Sequence, residues 1–179
     1  MICLFSIQAW AQSGKLFNTD NQLSSNLATQ VFQDKSGFIW IATRNSLNTY
    51  DGYHITVIKK DMSNFLGLNS NYINSIAQDE KEHILLGTNN SLLEFTGSEF
   101  LKIPMLDSKG EELATYVKQV YPLKNKDVAV ATSGYGIMLK KQDEQKCHAM
   151  KGEVEKLKYI LKLLEDKRGR LWIITEDGK

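Results

Sequence analysis

Apolar positions along this chain fall in short runs separated by clusters of Gly, Asn, Asp and Ser. Residues 27–33 alternate, with Leu27, Thr29, Val31 and Gln33 on one side, and read as a half-buried strand. Asp34-Lys35-Ser36-Gly37 is turn chemistry, with a glycine free to take positive φ. Residues 38–43 are nearly continuous in apolar character, which predicts a strand covered on both faces. Arg44-Asn45-Ser46 makes a second turn and residues 47–50 a third strand. Asp51-Gly52 predicts a two-residue type I′ hairpin, which needs positive φ at both positions. Residues 53–58 form a fourth strand with Tyr53, Ile55 and Val57 alternating, and residues 59–69 cross to the next unit.

The same order of elements then returns. Residues 68–103 align with residues 23–58 without gaps at a constant offset of 45, and 12 of the 36 positions are identical. Chance on average composition gives roughly two, so the chain is built by repetition. The identities include Ser25/Ser70, Asn26/Asn71, Gln33/Gln78, Asp34/Asp79, Thr43/Thr88, Leu47/Leu92 and Gly52/Gly97. A looser third copy sets Val128, Val130, Ala131 and Thr132 in the slots of Ile84, Leu86, Gly87 and Thr88. A fourth begins near Tyr159 and sets Asp166, Gly169, Trp172 and Thr175 against Asp34, Gly37, Trp40 and Thr43.

Four short antiparallel strands per roughly 45 residues is the arithmetic of a propeller blade. The expected fold is all-β: a partial β-propeller of about three and a half four-stranded antiparallel blades, at 23–58, 68–103, 113–141 and 157–179. Leucine-rich repeats are too short for this period, and helical repeats need a 3.6-residue apolar spacing that the first two copies lack. Residues 154–164 carry both helical and alternating spacing, and their place before an Asp-x-x-Gly turn favours a strand. Two slots are always aliphatic, Ile39/Ile84/Val128/Leu171 and Ile41/Leu86/Val130/Ile173, and should pack one blade on the next. Gly87, with Ala42 and Ala131 in its slot, predicts a close approach near the central channel, from which Ile174 departs.

Composition changes little in this picture. Apolar residues make up 42% and charged residues 24%, as in an ordinary globular domain. Lys plus Arg is 22 against 21 for Asp plus Glu, with no basic patch, which argues against nucleic-acid binding through this segment. Residues 1–11 stand apart: an apolar stretch followed by Ala9-Trp10-Ala11 reads as the remnant of a signal peptide, leaving 12–179 as the propeller segment. The alternative is a buried first strand. Cys3 would leave with the leader, so Cys147 stands without a disulfide or thiolate partner.

The pattern Asp34, Gly37, Ile39, Trp40, Ile41, Thr43, Ser46, Leu47, Tyr50, Asp51 and Gly52 resembles the two-component regulator propeller repeat, and the LSSN lead-in at 23–26 fits that family's first blade. The second copy departs in carrying Glu82 for the turn Gly and Leu85 for the Trp. The resemblance implies the N-terminal part of a periplasmic sensor region in a hybrid two-component regulator of Bacteroidetes type. Two successive propellers, an immunoglobulin-like domain, a membrane helix, a histidine kinase and a receiver would make up the longer protein. It further implies a receptor homodimer, with carbohydrate-derived oligosaccharides as ligands and the remaining blades of the longer chain as partners.

No sequence motif for catalysis, a cofactor or a metal stands out: H-E-x-x-H, P-loop, G-x-S-x-G and EF-hand patterns do not occur. His54, His83 and His148 occupy unrelated repeat positions and read as solvated strand or turn histidines. Asp34, Asp79 and Asp166 recur, which points to turn capping, since one active site needs no copies. The candidate ligand-binding residues are those that vary in the turn after each recurrent Thr: Arg44, Asn89, Ser133 and Glu176. Equivalent turns share one end of a propeller, and binding groups commonly sit on loops held by a rigid scaffold. Trp40 and Trp172 are either sugar-stacking or blade-packing residues. Three readings stand at this point: a ligand-sensing propeller, a protein-interaction propeller, and a propeller carbohydrate-active enzyme, which would need convergent carboxylates, His, Tyr or Arg.

Overall fold

A computed structural model describes residues 15–60 and 67–178 of the chain. The expected leader at 1–11 lies outside the described residues. Strands β1 (Ala28–Gln33), β2 (Ile39–Thr43), β3 (Leu47–Tyr50) and β4 (Ile55–Ile58) form a first antiparallel sheet in chain order. β5 (Ile73–Gln78), β6 (Ile84–Thr88), β7 (Leu92–Phe95) and β8 (Phe100–Ile103) form a second of identical topology.

The third blade is more elaborate. It is built on β11 (Val117–Pro122), β12 (Val128–Thr132), β13 (Ile137–Lys140) and β14 (Cys147–Ala149). A small hairpin, β9 (Met105–Leu106) and β10 (Glu112–Leu113), extends it, with β9 pairing parallel to β14. The expected boundary at 141 therefore falls short of this blade's outer strand. The fourth sheet is half a blade, β15 (Ile160–Glu165) paired with β16 (Leu171–Thr175). The ambiguous stretch at 154–164 divides: Glu153–Lys156 is a short 3-10 turn and the remainder enters β15.

The first strands of successive blades, β1, β5, β11 and β15, lie against one another and so line the inside of the arc. Each carries a bulge at the same place, between Ala28/Gln30, Ile73/Ser75, Val117/Gln119 and Ile160/Lys162. The bulge turns a polar side chain onto the next blade. The Gln30 amide donates to the Ile76 carbonyl and accepts from the Ile76 N–H, both at 2.8 Å. Gln119 does the same to Leu163 at 3.3 and 2.7 Å, and the Ser75 hydroxyl accepts from Val120 N–H at 3.0 Å. The joints are thus hydrogen-bonded as well as apolar.

Strand alternation sorts the core into three clusters, one between each pair of blades. Trp40 and Ala42 face forward, onto Ile76, Ile84 and Leu86 of the second blade. Leu85 faces forward onto Val120, Val128 and Val130. Ala129 and Ala131 face forward onto Leu163, Leu171 and Ile173. The aliphatic slots face backward, as expected of blade-packing positions. Ile39, which no described blade precedes, is only half-buried. Trp40 is buried and edge-on to Phe95, so blade packing accounts for it. Gly87 is close-packed against the neighbouring blade rather than a channel: a Cβ there would sit 2.5 Å from Val117 Cγ1.

The recurrent Asp residues cap the turns at the opposite end of each blade from the Thr turns. Asp34 Oδ1 accepts the Phe38 N–H at 3.0 Å and Oδ2 the Trp40 indole N–H at 2.7 Å. Asp166 takes the Arg168 and Arg170 N–H groups at 2.8 and 3.0 Å and the Trp172 indole at 3.1 Å. These bonds, the Arg170 N–H first and the Trp172 indole next, hold the Asp166 carboxyl at about 2. The glycine of the turn has positive φ in Gly37 and Gly169, and Glu82 and Lys126 adopt the same conformation in the middle blades, at φ 66° and 74°.

One turn differs from expectation. Asp51 does not take positive φ. The loop runs over 51–54, and the Asp51 carboxylate accepts the Tyr53 and His54 N–H groups at 2.7 and 2.6 Å. Those two bonds pull the Asp51 carboxyl below its ordinary range. Asp here acts through its side chain, in an Asx turn, instead of through a left-handed backbone.

Candidate functional site

At one end of the arc the turn after each recurrent Thr is pinned from within. Thr43, Thr88 and Thr132 are buried, and their hydroxyls donate to the carbonyls of Ser46, Ser91 and Gly136 at 2.9, 3.0 and 2.7 Å. The next residue is then tied to the residue that opens the inner strand of its own blade. Arg44 N–H donates to Leu27 O at 3.2 Å, Ser133 N–H to Tyr116 O at 2.9 Å, and Glu176 N–H to Tyr159 O at 3.0 Å. The candidate turn residues and the mouths of the inner strands therefore form one surface.

The residues at those mouths are Leu27, Tyr72, Tyr116 and Tyr159, each just before Ala28, Ile73, Val117 and Ile160. Three consecutive blades thus present a tyrosine at the same place. Tyr72 and Tyr116 have ring centroids 6.4 Å apart, and the Tyr116 hydroxyl donates to Asn74 Oδ1 at 2.8 Å. Burial pushes the Tyr116 phenol up, the neighbouring Tyr72 adds to this, and the Arg44 charge opposes it. Lys118 lies 4.9 Å from the Tyr116 ring centroid and pairs with Glu176 at 3.2 Å. Tyr159 is largely exposed.

The four expected residues play unequal parts here. Arg44 and Glu176 are exposed and act electrostatically on the tyrosine row, Glu176 through Lys118. Asn89 accepts from the Ser70 hydroxyl at 2.8 Å, which ties it to its own blade. Ser133 is half-buried and its carbonyl accepts from Thr115 Oγ1 at 3.1 Å, so its backbone serves the turn. Tyr72, Asn74, Tyr116, Lys118 and Tyr159 were not singled out from sequence. Aligning the copies on their Thr residues would have set the tyrosines in one column.

The opposite end holds a cavity of about 560 Å³ between the first two blades, lined by Phe38, Trp40, Glu82, His83, Ile84 and Phe95 among others. His83 is not the solvated turn residue expected. It is half-buried, with Nδ1 3.1 Å from Glu94 Oε1 and 3.8 Å from Asp79 Oδ2. His54 is exposed beside Asp51, and His148 pairs with Glu144 at 3.2 Å. Cys147 is fully buried between the second and third blades, and burial pushes its thiol to about 12, which leaves it inert as a nucleophile.

Residues 22–45, 67–90 and 156–177 match the two component regulator propeller family. No curated protein matches the chain in sequence. Among solved structures, the chain is similar to an extracellular domain of BT4673 from B. thetaiotaomicron, described as a one component system in one structure and as a hybrid two component system in another. In the first of these the TM-score is 0.73 at 16% identity, over 86% of this chain and 23% of that one. It is also similar to the extracellular domain of the hybrid two component system BT3049 from B. thetaiotaomicron, with a TM-score of 0.56 at 14% identity over 92% of this chain and 29% of that one. Virginiamycin B lyase from Staphylococcus aureus shares the arrangement with a TM-score of 0.62 at 9% identity, over 85% of this chain and 53% of that one. At such identities the likeness is one of fold. The chain spans about a quarter of the length of the two Bacteroides domains. Among the described residues no helix is long and apolar enough to cross a membrane.

Proposed function

We propose that this chain, in which residues 22–45, 67–90 and 156–177 match the two component regulator propeller family, is an extracytoplasmic, periplasmic ligand-sensing segment of a hybrid two-component regulator, with oligosaccharides as its ligands. In this reading further blades complete the ring, the longer receptor works as a homodimer, and signalling across the membrane belongs to its other domains. The observation that carries the reading is the row of Tyr72, Tyr116 and Tyr159 with Arg44, Lys118 and Glu176 around it. Tyrosine faces stack on sugar rings while their hydroxyls and the flanking charges hydrogen-bond to sugar hydroxyls, an apolar surface with a few placed polar groups. Each tyrosine comes from a different blade, so a chain of sugars lying across them would bridge blades. A bridging ligand favours whichever blade arrangement brings the tyrosines to its own spacing, and that differential affinity is what can shift a receptor between states.

The test is a glycan array probed with the immobilised chain, followed by equilibrium dialysis of any hit. Saturable binding of an oligosaccharide without new products is expected, with Tyr116→Ala weakening it at least tenfold. Products accumulating with time would favour the carbohydrate-active enzyme. Absence of any glycan signal, with binding to a protein partner instead, would favour the interaction propeller.

A further inference from the structure

The second blade departs from the repeat at three positions that touch one another. In the first and fourth blades the second oxygen of the turn aspartate is taken up by a tryptophan, Trp40 on Asp34 and Trp172 on Asp166. In the second blade that tryptophan is Leu85, which has no donor. Asp79 still caps its turn with Oδ1, accepting the Lys81 and His83 N–H groups at 2.9 Å each. Its Oδ2 is left facing His83, which occupies the slot of Phe38 and Arg170. The third change is Glu94, in the slot of Thr49, where a carboxylate is carried into the interior with 3% exposure.

Two carboxylates, both buried, therefore converge on one imidazole. One ligand atom from each of Asp79, His83 and Glu94 lies within 4.8 Å of those of the other two. Burying two negative charges demands compensation. A singly charged imidazolium offsets half of it, whereas a divalent cation bound to a neutral imidazole offsets all of it. The spacing admits the second solution as well as the first. Ligands at about 2.0–2.2 Å from a zinc ion in tetrahedral array stand roughly 3.3 Å apart, and the two distances to His83 Nδ1 are 3.1 and 3.8 Å.

We propose that Asp79, His83 and Glu94 form a binding site for a divalent transition cation of the zinc class at the rim of the cavity between the first two blades. One imidazole with two carboxylates is a donor set that zinc accepts and that soft, thiolate-seeking ions do not favour. Asp79 is positioned by the two N–H groups on its other oxygen, which fixes the carboxylate before any ion arrives. His83 also lines the cavity, which leaves a further coordination position on that side for an oxygen donor from a bound molecule.

Equilibrium dialysis of the chain against Zn²⁺ tests this, with zinc counted by elemental analysis. One zinc per chain is expected, with His83→Gln and the near-isosteric Glu94→Gln each lowering affinity at least tenfold. His148→Gln, which alters a His–carboxylate pair elsewhere in the chain (His148–Glu144), should change nothing. X-ray absorption at the zinc edge of the unmodified chain supplies a reading that does not depend on how the variants fold. A shell of nitrogen and oxygen donors with a single imidazole is expected. No zinc uptake, a sulfur donor from Cys147, or binding lost in His148→Gln and kept in His83→Gln would overturn the site.

Discussion

A side chain held in the left-handed region pays for the contact between its Cβ and the backbone, a cost that glycine escapes. Glu82 and Lys126 sit in that region at the turn position that Gly37 and Gly169 fill elsewhere. Glu82→Gly and Lys126→Gly should therefore each stabilise the protein by about 0.5–1 kcal/mol, after allowing for glycine's greater loss of chain entropy. Thermal or denaturant unfolding of the two variants checks this, and a loss of stability in both would contradict it. At this scale the sequence was informative where a residue recurs. Asp34, Asp79 and Asp166 were readable as caps because repetition separates structural need from a unique function. Asp51 was read correctly as a turn residue but with the wrong mechanism, since Asp-Gly suits either a left-handed pair or a side-chain cap. The burial of Glu94 was hidden because nothing local to a Glu-Phe pair announces which face of the strand will be covered.

At the scale of the strand and the blade, alternation did most of the specifying. In the second, third and fourth sheets the positions expected to bridge blades do so, facing backward, while Trp40, Leu85 and Ala129 face forward. Gly87 is a close point of this packing. Gly87→Ala would drive a methyl group to 2.5 Å from Val117 Cγ1 and 3.3 Å from Val120 Cγ2, so the substitution should cost about 1–3 kcal/mol by overpacking. Shortening the partner in Gly87→Ala/Val117→Ala should return part of that loss, and chemical denaturation of the single and double variants measures it. The third blade was least legible for a physical reason. Its outer strand is separated from β13 by a longer loop and lies between β13 and β9, so its second partner lies far back in the chain and no local spacing reveals that pairing. The tyrosine row was missed likewise: its members stand just outside the regular alternation, at strand mouths, where only alignment of whole blades brings them together.

The described residues form an arc whose two outer faces are unlike. At one end Val31 is 62% exposed on the backward face of the first blade. At the other, Leu164, Trp172 and Ile174 on the forward face are 59%, 56% and 57% exposed. Apolar faces of this kind associate. The chain alone should form oligomers that grow with concentration in analytical ultracentrifugation, and Trp172→Lys combined with Ile174→Lys should shift it towards monomer. A monodisperse unmodified monomer would show that these faces are not adhesive.

Every joint described here is written in two adjacent copies of the repeat and nowhere else: a forward face, a backward face, and a bulge-borne polar side chain between them. A tandem duplication within the gene would therefore deliver a unit whose two sides already fit the neighbours it lands between. Blade number can change over evolutionary time in whole steps, by copying or deletion, without any joint having to be invented anew. What must be invented separately is whatever a single copy does differently, as the second blade does at Asp79, His83 and Glu94.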